Sequence, residues 1–334
     1  MNSHFSKVLV TGGSGCIGIP LMHELKNRGI EVVLFDLNEQ ISRVKQFLPK
    51  GIQLFSGSIL DSAALRDAMY ECDGVIHLAA HLGVYRTENN KLRCLEINID
   101  GTKKVLDACV QSKSVKKIIF ASSSEVYGEP QSNPIKESHP TQGKTVYGIS
   151  KLAGEELVKA YCEEFNSISY TILRFFNTYG PFQVSQFVIT RFIDSILKGE
   201  TPKIFGDGSQ VRSYNFSSDS AIGIADSLQS NKTDNLVMNI GNSNEPITLI
   251  DLAKLIMELT GNDPSKINAS NSFDSSDRAK EREIFYRYCC TERANSIIKY
   301  APSTSLREGI LNILETNFFS DKWATSEKPY YLDE

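Results

Sequence analysis

The sequence predicts an α/β protein, with a doubly wound parallel sheet followed by a smaller mixed α/β domain. Up to about residue 180, short apolar segments alternate with amphipathic segments of helical period. The apolar segments contain few polar positions, which is typical of parallel strands that are covered on both faces. After Tyr179 the alternation gives way to a mixture of short strands, loops and helices. The change of pattern predicts a second domain in the C-terminal half.

The elements follow one another in a clear order. The predicted strands are KVLVTGG, EVVLFD, IQLFSG, GVIHLAA, KKIIFASSS and SYTILRF. The clearest helices between and after them are IPLMHELKNRG, TKKVLDACVQSK and KLAGEELVKAYCEEF. Gly29 is a predicted helix C-cap, and right-handed crossovers then give the doubly wound arrangement. In the second half, FVITRFIDSILKG and TLIDLAKLIMELTG are amphipathic helices, the latter with Thr248 as N-cap and Gly261 as C-cap. The polar segment 268–283 is predicted to be a loop or lid.

Composition excludes several classes of protein. The chain has 334 residues and a formal net charge of −4, without the basic excess expected of a nucleic-acid-binding protein. It contains no apolar run of about 18 residues and begins without a signal-peptide pattern, so we expect a cytoplasmic protein that does not bind membranes. Seven scattered cysteines indicate reduced thiols. His77 and His81 have the spacing of a helical metal pair but follow a strand-like run, and we expect no metal site.

A glycine-rich turn, TGGSGCIG, joins the first strand to the first helix. Gly12, Gly15 and Gly18 are spaced G-x-x-G-x-x-G. Glycines allow a tight turn and a close approach of the backbone to a pyrophosphate, which the N–H groups of the helix N-terminus then bind. The strand–turn–helix context makes this a predicted dinucleotide site of the Rossmann type.

Asp36 ends the second strand, 18 residues after Gly18. A carboxylate at this position accepts hydrogen bonds from a ribose diol and repels a 2′-phosphate. The sequence therefore favours NAD over NADP as the cofactor.

The segment TVYGISKLAGEE places Tyr147 four residues before Lys151. These positions share a helix face, and an ammonium group beside a phenol favours the phenolate, so we expect the pKa of Tyr147 to fall. Such a pair would supply a base near neutral pH. The alternative is an ordinary surface tyrosine and lysine on an amphipathic helix.

Four motifs in order, TGGSGCIG, SSSEVYG, YGISK and LRFFNTYGP, resemble the extended short-chain dehydrogenase/reductase family, in particular its nucleotide-sugar epimerases and dehydratases. The resemblance runs from about Lys7 to about Ala301. It implies NAD as the cofactor and a nucleotide-diphosphate sugar as the substrate. It also implies a NAD-binding Rossmann domain over residues 1–180, to which part of 205–245 returns, and a substrate domain over residues 181–334.

The resemblance also assigns roles to residues. Tyr147 is the catalytic base, Lys151 lowers its pKa and holds the nicotinamide ribose, and Ser123 hydrogen-bonds the sugar hydroxyl. Around the cofactor it implies Cys16 and Ile17 in the glycine loop, Ser58 and Ile59 beside adenine, Leu78, Ala79 and Ala80 after the fourth strand, and Asn98. An aspartate common in the family is Ser58 here, so adenine contacts would use its hydroxyl and the Ile59 backbone. For the substrate, it implies Ser124, Asn177 and Arg212, together with Lys280 or Arg282 at the diphosphate.

Several reactions share a first step, oxidation of the sugar at C4. Dehydratases of the family carry an acid where this chain has Ser124, so dehydration by that route lacks its proton donor. Glu125 remains, and SSSEVYG is similar both to UDP-glucuronate decarboxylases and to some epimerases. Since Tyr147, Lys151 and Ser123 suffice for an epimerase, a 4-epimerase is the leading interpretation. The alternatives are a decarboxylase or another lyase that uses Glu125, a 4-dehydrogenase, and a NAD-sensing module without activity. The family usually dimerises through two helices per subunit, which implies a homodimer.

Overall fold

The computed structural model describes residues 5–184, 186–269 and 283–316. Its strands are β1 Lys7–Thr11, β2 Glu31–Asp36, β3 Gln53–Ser56, β4 Gly74–His77, β5 Lys117–Ser123, β6 Ser169–Phe175, β7 Thr178–Tyr179, β8 Val211–Arg212, β9 Asn215–Phe216, β10 Leu236–Ile240, β11 Ile247–Thr248 and β12 Tyr286–Arg287. Its α-helices are α1 Gly18–Asn27, α2 Asn38–Val44, α3 Ser62–Ala68, α4 Val84–Asn89, α5 Lys91–Leu95, α6 Thr102–Ser112, α7 Val146–Glu164, α8 Val188–Leu197, α9 Ser217–Gln229, α10 Leu249–Leu259, α11 Glu292–Ile298 and α12 Leu306–Thr316. None of these helices is both long enough and apolar enough to cross a bilayer.

Seven strands form one parallel sheet in the order β10-β6-β5-β4-β1-β2-β3. The six strands predicted from the sequence all belong to it, and the predicted doubly wound α/β fold is confirmed. The strand β10 pairs with β6, so the chain returns to the first sheet after α8. Because all seven strands are parallel, their carboxyl ends meet at one edge, where such folds bind ligands.

Helices cover both faces of this sheet. On one face α1 and α9 pack through apolar residues such as Met22 and Ile224, and on the other face α3, α6 and α7 contribute residues such as Leu65 and Val158. A separate core lies between α8, α10 and α12 in the C-terminal half. The N-cap predicted for α10 is confirmed, because the Thr248 hydroxyl accepts the N–H of Asp251 at 3.1 Å.

Two small sheets accompany the main sheet. The strands β11, β8 and β12 form one of them, and β7 pairs with β9 in the other. In the first, Arg287 of β12 lies opposite Arg212 of β8. This pairing brings two arginines from distant parts of the chain to the edge of the main sheet.

Candidate active site

A cavity of about 660 Å³ opens at the carboxyl edge of the main sheet. Its volume is in the range of small-molecule sites. The glycine loop, the end of β5 and the start of α7 form one side, and β8 and β12 lie across from them. The predicted residues that line it are Gly12, Gly15, Cys16, Ile17, Gly18, Asp36, Ser58, Ile59, Leu78, Ala79, Ala80, Ser123, Ser124, Glu125, Tyr147, Lys151, Asn177 and Arg212. The structure thus brings most of the predicted site residues together.

The glycine loop has the shape that a dinucleotide pyrophosphate requires. Gly12 has a φ of +70°, and a Cβ there would come within 2.5 Å of the Ala79 Cα. A Cβ at Gly18 would collide with the backbone of Gly13. At Gly15 the nearest atom would be 3.8 Å away, so this glycine leaves open space beside the cavity. Since α1 begins at Gly18, its N-terminal N–H groups lie at this loop and suit a phosphate.

Asp36 closes the loop from the end of β2. Its carboxylate accepts the N–H groups of Ser14 at 3.0 Å and of Leu37 at 2.8 Å. Burial raises the pKa of Asp36, and these N–H donors act in the opposite direction. A carboxylate so held at the cavity wall fits a ribose diol, and the residues of this half of the cavity fit NAD.

Three other predicted cofactor residues have distinct surroundings. Burial raises the pKa of the Cys16 thiol to about 12, so the thiol stays protonated and acts as a packing group. The Ser58 hydroxyl accepts the N–H of Leu60 at 3.2 Å. Asn98 lies behind the cavity wall rather than on it: its amide bonds the backbone of His81 and donates to Ser150 at 2.9 Å. A direct contact between Asn98 and the cofactor is therefore replaced by a supporting position under α7.

Tyr147 stands in the first turn of α7, because the Thr145 hydroxyl caps this helix by accepting the N–H of Gly148 at 3.0 Å. Lys151 follows one turn later, with its Nζ 5.9 Å from the centre of the Tyr147 ring. The ammonium donates to the carbonyl of Ala121 in β5 at 2.7 Å. The phenol and the ammonium therefore face the same strand.

The pKa of Tyr147 differs from the lowered value that the sequence predicted. The hydroxyl of Ser123 hydrogen-bonds Tyr147, but burial raises the pKa of the phenol well above its usual range, and the carboxylate of Glu125 raises it further. The predicted fall is wrong for the protein without a dinucleotide, because loss of solvation outweighs the neighbouring lysine. Burial also lowers the pKa of Lys151, to about 8.

Glu125 has a partner that the sequence analysis missed. Its Oε1 accepts a very short hydrogen bond from Nη1 of Arg287, and its Oε2 accepts one from the Thr145 hydroxyl at 3.3 Å. Both residues are more than nine-tenths buried. Arg287 also donates to the Asn177 amide oxygen at 3.3 Å, while its Nε has no hydrogen-bond partner among the described residues. The only signal in the sequence was a lone arginine in EIFYRY, and nothing local connects it to Glu125.

Arg212 lies beside this pair but is already engaged. Its Nη2 forms an ion pair with Glu283 at 2.6 Å, and its Nη1 donates to the carbonyls of Val211 and Phe285. Asn177, which has a φ of +38°, donates to the carbonyl of Ser213 at 2.9 Å. Lys280 and Arg282 fall outside the described residues.

No cluster of three potential metal ligands occurs within residues 5–184, 186–269 and 283–316. His77 lies between the hydroxyls of Thr11 and Thr102, at 2.7 and 3.1 Å. Burial lowers the pKa of this imidazole to about 3, so it is neutral. These contacts support the end of β4.

Comparison with known proteins agrees with the fold. The chain is 34% identical to the UDP-N-acetyl-alpha-D-glucosaminuronate decarboxylase of Bacillus cytotoxicus over 76% of this chain and 80% of that protein. It is 32% identical to the putative UDP-glucose 4-epimerase of Methanocaldococcus jannaschii over 92% of this chain and 97% of that protein. The crystal structure of UDP-glucuronic acid 4-epimerase from Bacillus cereus, in complex with UDP-glucuronic acid and NAD, has a TM-score of 0.83 at 28% identity, covering 94% and 98% of the two chains.

A family model covers more than half of the chain. The model of the NAD dependent epimerase/dehydratase family matches residues 8–241. This range contains the glycine loop, Asp36, Ser123, Tyr147 and Lys151. The chain therefore belongs to the NAD-dependent epimerase/dehydratase family, as the motifs of its sequence predicted.

Proposed function

We propose that this chain oxidises a nucleotide-diphosphate sugar at C4 and that its main outcome is 4-epimerisation. Bound NAD would supply reversible hydride transfer at C4. Tyr147 takes the proton of the C4 hydroxyl, Ser123 hydrogen-bonds the same oxygen, and Lys151 stabilises the phenolate. The observation that carries the proposal is the contact of Tyr147 and Lys151 with the carboxyl end of β5 inside one cavity.

The protein environment explains why the base needs its cofactor. Burial, reinforced by the carboxylate of Glu125, raises the pKa of Tyr147 and holds the phenol in its protonated form. A positive charge in the cavity favours the phenolate, so binding of the oxidised cofactor and activation of the base are coupled. Reversible deprotonation at C4 then requires no residue beyond Tyr147, Lys151 and Ser123.

A second candidate, decarboxylation of a nucleotide uronate, is favoured by the pair Glu125–Arg287. A buried guanidinium with a free Nε suits a C6 carboxylate. After oxidation at C4 the sugar is a β-keto acid. The C5–C6 bond breaks and carbon dioxide leaves, while the electron pair of the broken bond forms an enolate. The enolate then takes a proton at C5. In this proposal Glu125 exchanges the proton at C5. Ser124, which is buried at the cavity wall, supplies no carboxylic acid for dehydration.

Product analysis separates the candidates. The NAD-loaded protein is incubated with UDP-, dTDP- and GDP-sugars, uronates included, and the products are analysed by mass and proton NMR. An unchanged mass with an inverted C4 supports epimerisation, and loss of carbon dioxide supports the second candidate. If no sugar is converted and none reduces the cofactor, the enzymatic proposal is wrong and a NAD-binding module remains.

The variant Glu125→Gln further distinguishes epimerisation from decarboxylation. An epimerase is expected to keep most of its activity, whereas a decarboxylase is expected to lose product formation while still reducing the cofactor. Glu129→Gln is the matched control, because Glu129 forms an exposed ion pair with Lys144.

We also propose that the chain forms a homodimer through α5, α6 and α7. Leu92 on α5 is 84% exposed and Ile149 on α7 is 51% exposed, and a second copy would cover both. Light scattering is expected to give twice the chain mass, and Leu92→Glu is expected to yield monomers.

The state of the cysteines supports a location in the cytoplasm. All seven cysteines are free thiols, which suits the reducing cytoplasm.

A further inference from the structure

A buried ionic cluster lies directly behind the catalytic pair. Glu155 is on α7, four residues after Lys151 and eight after Tyr147, so the three side chains share one face of the helix. Its side chain is fully buried. A carboxylate in such a place requires both a counterion and hydrogen bonds.

Arg174 of β6 supplies the counterion. Its Nε donates to Oε1 of Glu155 at 2.9 Å and its Nη2 donates to Oε2 at 2.6 Å, in the two-pronged geometry that fixes both groups. The guanidinium also stacks over the ring of Tyr127, 4.7 Å from its centre. The cluster is therefore held from both β6 and the turn after β5.

The remaining bond of Glu155 leads to the active site. Its Oε1 accepts a very short hydrogen bond from the Ser122 hydroxyl. Ser122 lies between Ala121, whose carbonyl accepts from Lys151, and Ser123, whose hydroxyl bonds Tyr147. Three consecutive residues of β5 are thus each held by one residue of α7, one helical turn apart.

From this arrangement we infer that Glu155 is a positioning residue, which sets the distance between Ser123 and the Tyr147–Lys151 pair through its bond to Ser122. The inference deepens the proposed C4 oxidation and rests on it. If the bond is lost, α7 can shift along β5, and a displacement of about 1 Å at reacting groups costs up to about a hundredfold in rate. The binding of the cofactor at the glycine loop does not depend on this contact.

Ser122→Ala tests the inference with little risk to folding, because the ion pair of Glu155 and Arg174 remains. Cofactor reduction is followed in a single turnover after mixing NAD-loaded protein with UDP-glucuronate or UDP-glucose. The rate is expected to fall about tenfold while KM, NAD affinity and Tm stay nearly constant. Ser227→Ala, which removes a buried hydroxyl that donates to the Gly223 carbonyl within α9, is expected to leave the rate unchanged.

The charge of Glu155 gives a second readout that a purely structural role would not move. The backbone positions of Glu155 and Tyr147 are about 12 Å apart along the helix axis. Glu155→Gln removes a negative charge, favours the phenolate and is expected to lower the acid limb of the kcat/KM profile by about 1 pH unit. The double variant Glu155→Gln/Arg174→Gln restores the charge balance, so its limb is expected to return while the rate remains low.

The outcomes separate this inference from the proposed function. If the unchanged protein and Ser227→Ala reduce the cofactor and Ser122→Ala does so equally fast, the positioning role is refuted and the proposed function stands. If the unchanged protein reduces no cofactor with either sugar, both are overturned.

Discussion

Replacing Arg287 by glutamine tests what the cavity recognises at the sugar. The guanidinium is more than nine-tenths buried and is bonded to Glu125 and Asn177, and its Nε still lacks a partner within the described part of the chain. A C6 carboxylate would engage this group, whereas the C6 hydroxyl of a hexose would gain little from it. We therefore expect Arg287→Gln to weaken the binding of a uronate selectively.

The magnitude follows from the type of bond. A hydrogen bond to a charged group contributes about 1.5–3 kcal/mol, so the affinity for UDP-glucuronate is expected to fall by about 10- to 150-fold. The affinity for UDP-glucose is expected to change by no more than about threefold, because no charge is lost from its contacts. NAD affinity is expected to be unchanged, since the glycine loop does not contact Arg287.

Calorimetric titration of the NAD-loaded protein with UDP-glucuronate, UDP-glucose and UDP measures this selectivity. A Tyr147→Phe background prevents turnover. Arg212→Gln is the control: its predicted target is the diphosphate, so it is expected to weaken all three ligands alike. Removal of one partner of a buried ion pair destabilises by about 3–5 kcal/mol, so the double variant with Glu125→Gln is measured as well. Equal losses for UDP-glucuronate and UDP-glucose in Arg287→Gln would refute the reasoning.

Three further predictions concern the base and the cofactor. Tyr147→Phe is expected to reduce C4 oxidation by at least about a thousandfold while NAD still binds, and near-normal cofactor reduction in a stopped-flow measurement would contradict the role of the phenol. Asp36→Ala is expected to weaken NAD about tenfold and NADP much less; competitive binding that shows the reverse would exclude the ribose contact. Because the pKa of Lys151 is about 8, its ammonium is lost as the pH rises through that value, and kcat/KM is expected to fall above about pH 8. Lys151→Arg stays charged, so a persistent alkaline limb in that variant would assign the limb to another group.

The fold was predictable because its signals are local. Segments such as KVLVTGG and EVVLFD are apolar along their whole length, and each lies within a few residues of a helix with a clear period. The glycine loop was equally visible, since Gly12, Gly15 and Gly18 lie within seven consecutive residues between the first strand and the first helix. Patterns of this kind need no knowledge of distant contacts.

The side of the cavity formed by β8 and β12 was not predictable, because it depends on contacts between distant parts of the chain. The strand β12 has only two residues, too few for a period, and its pairing with β8 joins positions 75 residues apart. The ion pair of Arg287 with Glu125 depends on that pairing. The prediction of a lowered pKa for Tyr147 was wrong for a similar reason. The spacing to Lys151 is local, but the burial that dominates the ionisation of Tyr147 comes from the whole fold.

The ion pair between Glu125 and Arg287 has a consequence for synthesis of the chain. A nascent polypeptide that has emerged as far as residue 241 already contains every strand of the main sheet, and N-terminal domains generally fold first. Until residue 287 leaves the ribosome, however, the carboxylate of Glu125 lacks its ion pair with Arg287. The closing of the cavity is therefore a late event in biogenesis, and a protein truncated before β12 would contain the complete nucleotide-binding sheet with an unfinished sugar pocket.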